Sequence, residues 1–217
     1  MDKIYYTDVR TFNDIEVFEK HLNNLSVERR DKTLKQYFPK DRNLSLGAGV
    51  LLDFGLKQMG LREKDLVFEH NPYGKPIIKG GIHFNLAHSG IFALAAISEK
   101  PIGVDIEMID SYITEPIQYM APGEQRYLYS QDIAERRDSF IRLWCLKESF
   151  SKAVGLGLSL PLDAYEVLIQ NEKISVIQNH DCYDYSFYEF TLPGYRAAIC
   201  GIDLECRFPQ EVILSDP

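Results

Sequence analysis

The sequence predicts an α+β protein of two similar α/β halves, each an antiparallel sheet packed with helices. Three observations carry this reading. Short apolar runs follow one another across tight Ser, Gly and Pro turns, the pattern of antiparallel strands. Two stretches, 43–59 and 138–154, repeat apolar residues at helical spacing. A buried strand, a glycine and an Ile-Asp-x-Glu-like end occur twice, at 91–107 and 195–205. An echo of this length arises either by chance or from two related halves. We read it as two halves, 1–108 and 109–217.

With 217 residues, 45% of them hydrophobic and 26% charged, the chain has the make-up of a soluble globular protein with a substantial core. A net charge of −8 argues against a general nucleic-acid binder, which depends on basic surface. The four cysteines form no CxxC pair, which argues against zinc. The opening residues lack the apolar run of a signal peptide, and no stretch approaches the ~20 apolar residues of a membrane span. The expectation is a cytoplasmic protein with reduced thiols, no membrane contact and a monomeric state.

In chain order, residues 3–9 read as a first strand. Residues 13–38 read as helical, with Leu22, Leu25, Leu34 and Tyr37 on one apolar face. The segment 43–59 carries Leu44, Leu46, Val50, Leu51, Phe54 and Leu56 on a buried helix. Gly47 and Gly49 within it signal close helix packing or a ligand approach. Residues 71–76 form a turn-rich loop. The runs 83–88, 91–97 and 102–107 read as a three-stranded antiparallel meander. Short helices are expected across 111–135, then a long helix over 138–154 that stops at Gly155. Strands are expected around 164–169, 173–177, 183–191 and 195–204.

In the strand Gly-Val-Asp-Ile-Glu at 103–107, alternation sends Asp105 and Glu107 to one face and Val104 and Ile106 to the core. Alone, such a pair reads as an acidic strand edge. Two carboxylates on one side also repel, and a cation relieves the repulsion; oxygen ligands suit Mg²⁺ or Mn²⁺. Glu148 is a third carboxylate. On a helix it stacks with Trp144 and Lys152 at four-residue steps, either as a surface Glu–Lys ion pair or, because an aromatic shares the stripe, facing a cleft. His88, followed by Ser89 and Gly90, has the groups to cradle a phosphate. Lys75, between Gly74 and Pro76, adds a cation on a rigid loop, and Arg29, Arg30 and Lys32 add more on the first helix. Each alone is an ordinary surface charge; together they suit a polyphosphate substrate.

The chain resembles the 4′-phosphopantetheinyl transferases of the larger, Sfp-like type. The resemblance lies in Tyr-Gly-Lys-Pro at 73–76, Phe-Asn-Leu-Ala-His-Ser-Gly at 84–90, Ile-Gly-Val-Asp-Ile-Glu at 102–107, Trp-Cys-Leu-Lys-Glu-Ser-Phe-Ser-Lys at 144–152 and Gly-Leu-Gly-Leu-Ser-Leu-Pro at 155–161. It implies a pseudo-dimer in one chain with coenzyme A bound between the halves. It implies Asp105, Glu107 and Glu148 as ligands of Mg²⁺ (Mn²⁺ being possible) and Lys152 near the phosphates. His88, Ser89, Lys75, Arg29 and Lys32 would hold the 3′-phosphate and adenosine end, with Tyr73, Gly74, Lys75 and Pro76 beside the adenine. Two departures stand out: Ala87 where the family often has a serine, and a displaced arginine near 42–47, for which Arg42 is a candidate replacement.

The activity implied is transfer of phosphopantetheine from coenzyme A to a serine of an acyl or peptidyl carrier protein. Glu148 is the candidate base and Lys152 offsets phosphate charge. The segment 112–128, with Ile113, Ile117, Tyr119 and Met120, is the candidate docking surface for the carrier, or else plain core. The alternatives are a non-catalytic relative that binds coenzyme A or a nucleotide, and a metal-dependent phosphodiesterase.

Overall fold

The structure, a computed structural model, describes residues 2–111, 114–170, 173–205 and 208–214, with Leu158 by its backbone alone. It is a mixed α+β fold of antiparallel sheets and helices.

β1 (Lys3–Asp8) is followed by α1 (Ile15–Asn23) and α2 (Val27–Leu34). The single helix expected over 13–38 is two, because two side chains restart the backbone. Asp14 caps α1 by accepting from the N–H groups of Glu16 and Val17, and Ser26 Oγ caps α2 by accepting from Arg29 N at 3.2 Å. The expected apolar face ends at Leu25: Leu34 and Tyr37 are 49% and 83% exposed. α3 (Pro39–Lys57) starts with proline at its first turn, where no N–H is needed. Its Gly47 lies against Val9 and Ala93 and its Gly49 against Leu25 and Arg29, so both serve helix packing.

β2 (Phe68–His70) and β3 (Pro76–Ile78) form a hairpin, and β4 (His83–Ser89) and β5 (Phe92–Ser98) form another. β6 (Ile102–Met108) departs from the expected meander. It ladders antiparallel with β10 (Tyr195–Ile202), which places Ala198 opposite Asp105 and Arg196 opposite Glu107. Between them in the chain lie α4 (Pro122–Ser130), α5 (Ile133–Val154), the hairpin of β7 (Glu166–Gln170) and β8 (Lys173–Ile177), and β9 (Tyr185–Leu192). β11 (Gln210–Glu211) returns to pair in parallel with β1. The principal sheets are therefore β11-β1-β5-β4 and β6-β10-β9.

The two sheets meet where β4 and β6 run side by side. Side chains close this seam: Asn85 Oδ1 accepts from Val104 N at 2.8 Å and Ser89 Oγ accepts from Met108 N at 3.2 Å. One core lies under α1 and α3, with Phe12, Phe18, Leu46 and Leu51. A second lies under α5, with Phe140, Leu143, Leu146 and Phe150. A third, with Leu94, Val104, Ile106 and Ile199, draws on both sheets and welds them. Each fully buried aliphatic side chain contributes about 1.5–3 kcal/mol.

α5 seats directly on β6 at Gly103. A Cβ there would stand 2.1 Å from Ser149 O and 2.4 Å from Ala153 N, both helix backbone. Gly103→Ala is therefore expected to destabilise the protein by at least ~3 kcal/mol, the upper range for overpacking, in urea unfolding. An unchanged midpoint would mean that helix and strand are not in contact. Among the described residues no helix is long and apolar enough to cross a membrane.

Candidate active site

β6 and α5, held backbone to backbone at Gly103, carry the acidic groups expected from the sequence. Val104 and Ile106 are fully buried. Asp105 and Glu107 point the other way, toward the helix stripe of Trp144, Glu148 and Lys152. Lys152 Nζ donates to Asp105 Oδ1 at 2.5 Å, and Ser89 Oγ donates to Glu107 Oε2 at 2.8 Å. Trp144 stacks on Phe140 with centroids 5.9 Å apart. With Glu148 and Lys152 it lines a cavity of about 410 Å³ whose far wall is Leu160, Pro161, Leu162 and Tyr165.

The charges in this cluster are unbalanced. Burial pushes the Asp105 carboxyl up, against the pull of Lys152. Burial, then the Asp105 charge, raises Glu148. Glu107 is pushed up to about 7, first by burial, then by Asp105 and Glu148, against the hydrogen bond from Ser89. Burial also opposes the Lys152 ammonium, but Asp105 and Glu148 outweigh it and its pKa is raised. One cation thus serves three carboxylates. Asp105 Oδ2 is buried with no hydrogen-bond partner. Such an orphaned oxygen in an all-oxygen donor set fits a hard divalent cation. Among the described residues no three His, Cys, Asp or Glu side chains stand together so as to hold a metal ion, and one Asp105 oxygen is taken by Lys152.

A pH dependence follows. A carboxyl with a folded pKa above its unfolded value stabilises the fold below the unfolded value, and that stabilisation is lost as pH rises through the folded one. For Glu107 the window runs from 4.5 to about 7. Metal-free protein is expected to lose about 1–2 kcal/mol across it, reduced from the full linkage value because the group is partly solvated. Thermal melts in chelator should fall by several degrees between pH 5 and 8. Glu107→Gln should flatten that fall, and an equally steep fall in the variant would remove Glu107 as its source.

A second cavity, of about 110 Å³, gathers Arg29, Lys32, Gly74 and Pro76 as expected, together with Ser26, Glu28, Glu63, Phe68 and His70. Arg29 is held by Glu63 at 3.9 Å, and Glu63 also accepts from Ser26 N and Oγ at 2.8 and 2.7 Å. Tyr73 stands exposed at the loop tip. His88 is exposed on β4, yet desolvation lowers its pKa, with the Lys152 and Lys32 charges acting the same way. Ser89 thus joins the acidic cluster, while His88, its neighbour on the strand, feels the Lys152 and Lys32 charges without lining the cavity of Arg29 and Lys32. Two residues lie elsewhere. Lys75 does not line that cavity and gives its ammonium to backbone carbonyls of Ile102, Lys152 and Ala153. Arg42 donates to Gln36 O at 2.8 Å and lines a separate cavity beside Phe12 and Phe18.

Of the candidate docking residues, Ile117 and Met120 are core and Tyr119 is exposed; Tyr112 and Ile113 lie outside the described residues. The Asp203–Glu205 echo does not repeat the acidic strand. Asp203 sits past the end of β10 at φ 48° and pairs with Lys100 at 2.7 Å.

Sequence reasoning missed one pair beneath the site. Lys147, fully buried, donates to Glu124 Oε1 at 2.7 Å and to Tyr165 O at 3.1 Å. Its signal was present: Lys147 interrupts the apolar stripe Phe140, Leu143, Phe150, where a lone lysine needs a buried partner.

An α+β chain with a carboxylate cluster around one lysine, and a cavity that offers Arg29 and Lys32, has groups suited to a phosphorylated substrate. The model of the 4′-phosphopantetheinyl transferase superfamily matches residues 101–200. The chain is 34% identical over 209 residues to 4′-phosphopantetheinyl transferase Sfp of Bacillus subtilis strain 168, covering 90% of this chain and 89% of that one. It is 28% identical over 207 residues to 4′-phosphopantetheinyl transferase gsp of Aneurinibacillus migulanus, covering 93% and 86%. Among solved structures, Thermotoga maritima holo-[acyl-carrier-protein] synthase matches 47% of this chain and 62% of its own, with a TM-score of 0.40 and 20% identity. The chain belongs to the 4′-phosphopantetheinyl transferase superfamily.

Proposed function

We propose that this enzyme transfers 4′-phosphopantetheine from coenzyme A to a serine of an acyl or peptidyl carrier protein. The serine oxygen bonds to the β-phosphorus, the bond to the bridging oxygen breaks, and adenosine 3′,5′-bisphosphate leaves. Family membership supports the reaction class. The observation that carries the site is Asp105 Oδ2, buried and unpartnered among three carboxylates that share one lysine.

In this reading Asp105, Glu107 and Glu148 hold Mg²⁺, and Mn²⁺ fits the same oxygens. The chemistry supplied by the bound cation is charge neutralisation at the pyrophosphate. Lys152 offsets charge on the same phosphates. Glu148, whose pKa burial and the Asp105 charge raise, accepts the serine proton. Arg29 and Lys32, with His88 and Ser89 toward the cluster, bind the phosphorylated adenosine end, and Gly74 and Pro76 flank the base. The apolar wall at Leu160–Leu162 suits the pantetheine arm.

The two-halved arrangement belongs to the same proposal. It is supported by an order that occurs twice: strand, helices, hairpin, then two strands of which the last pairs with the first. With β6 laddered to β10, the halves divide at the turn 98–101 rather than after residue 108. A monomer is then sufficient, since one chain supplies both halves. A cytoplasmic setting is supported by the free thiols of Cys145, Cys182 and Cys200.

The test is mass spectrometry of an apo carrier domain incubated with coenzyme A and Mg²⁺. The carrier should gain the phosphopantetheine mass. No gain with coenzyme A still bound would point to a non-catalytic relative, and cleavage of coenzyme A without carrier to a phosphodiesterase.

A further inference from the structure

We infer that Lys75 and Asn71 are positioning residues that lock the end of α5 against β6 and so set the spacing of the acidic cluster. The inference rests on the transfer reading for its functional consequence.

The last carbonyls of a helix have no partner within it, and a cation placed there is favoured by the helix dipole. At the end of α5 these partners come from the loop between β2 and β3. Lys75 Nζ lies 2.5 Å from Lys152 O, 3.5 Å from Ala153 O and 3.2 Å from Ile102 O. An ammonium has three donors, and here each has a carbonyl, leaving none for a phosphate. Two of the acceptors are on α5 and the third opens β6, one residue before the Gly103 contact. Lys75 thus joins the two elements that carry Asp105, Glu107, Glu148 and Lys152.

Asn71 completes the clamp. Its Nδ2 donates to Gly155 O at 2.7 Å, while its Oδ1 accepts from Tyr73 N and Lys75 N, each at 2.9 Å. The loop is closed on itself as well, with Asn71 N on Lys75 O at 2.9 Å and Gly74 N on Asn71 O at 3.0 Å. It therefore presents Asn71 and Lys75 as one rigid piece. Gly155 receives them at φ 80°, where a Cβ would meet Lys75 Cδ at 3.1 Å and Asn71 Nδ2 at 3.2 Å. Burial lowers the Lys75 pKa to about 8, as for an ammonium withdrawn from water. The same loop lends Gly74 and Pro76 to the cavity of Arg29 and Lys32, so one short segment touches both that cavity and the helix of the acidic cluster.

The experiment compares wild type, Lys75→Met and Asn71→Ala with coenzyme A and with 3′-dephospho-coenzyme A, measuring kcat on an apo carrier domain, ligand Kd, and amide exchange at residues 152–156. Lys75→Met is expected to lower kcat at least tenfold with either donor, to change the coenzyme A Kd less than threefold, and to speed exchange at 152–156. Asn71→Ala should repeat this pattern more weakly, and it serves if Lys75→Met does not fold. A tenfold weaker Kd with kcat kept at saturation, and no penalty with the dephospho donor, would make Lys75 a phosphate ligand and overturn the inference. Unchanged kcat and exchange in both variants would overturn it too. Should wild type modify no carrier, the transfer reading fails, while Kd and amide exchange still decide the clamp.

Discussion

Glu148→Gln is expected to lower kcat for phosphopantetheine transfer by at least about 100-fold, the lower range for loss of a proton acceptor in place. The amide keeps the volume of the side chain between Trp144 and Lys152 in the 410 Å³ cavity, so packing changes little. What is lost is a carboxylate whose pKa burial, then the Asp105 charge, raises. Asp105→Ala should be as damaging for a different reason: it removes the partner of Lys152 and the unpaired oxygen together. In both variants the coenzyme A Kd should stay within a few fold, because the cavity that Arg29 and Lys32 line is built by other elements. A rate within tenfold of wild type for Glu148→Gln would take the base role from this residue.

The largest stability effect is expected at Lys147. The Lys147→Met variant leaves Glu124 as an uncompensated carboxylate in the core, and removing one partner of a buried pair costs about 3–5 kcal/mol. Glu124 is also structural in its own right. Its Oε1 accepts from Val167 N at 2.8 Å and its Oε2 from Ala121 N at 3.0 Å, so it ties α4, β7 and α5 together. Glu124→Gln keeps an acceptor for the strand but strands the Lys147 charge, which rests 3.9 Å from the Tyr165 ring centroid. The double variant should cost clearly less than the two single costs added, giving a coupling of about 2 kcal/mol or more in a urea double-mutant cycle. Additive costs would mean that the pair is not coupled.

What the sequence reveals here follows from the range of the physics involved. The Asp105–Glu107 pair and the Trp144–Glu148–Lys152 stripe are legible because strand and helix periods set them within a few residues. Ser89 and the Gly74–Pro76 loop are legible through their motifs. The destination of Lys75 is not, because its acceptors are carbonyls 27 to 78 residues away. Nor is the pairing of β6: its apolar alternation suits β5 as well as β10, and only the long-range core decides. Helix bounds differ twice. Ser26 splits the first helical stretch, and α5 begins at Ile133, five residues before the apolar pattern does. In the docking segment Ile117 and Met120 take the core alternative and Tyr119 stays exposed, a split that residue character alone does not decide.

The β4–β6 seam has a mechanical meaning. Within each sheet, strands are stitched by continuous backbone ladders, and those resist sliding as a unit. Across the seam the stitches include the side chains of Asn85 and Ser89, and Tyr195 Oη, which accepts from Ile91 N at 3.2 Å, and these can rotate without unfolding either strand. The molecule is two laddered plates joined along one line by side-chain bonds and the apolar core they share. Pulled apart from the two plates, it should yield at that line before either ladder shears, and Asn85→Ala should lower the yield force. Because Ser89 also holds Glu107, the acidic cluster sits on the hinge line itself, where anything that grips both plates acts as a splint.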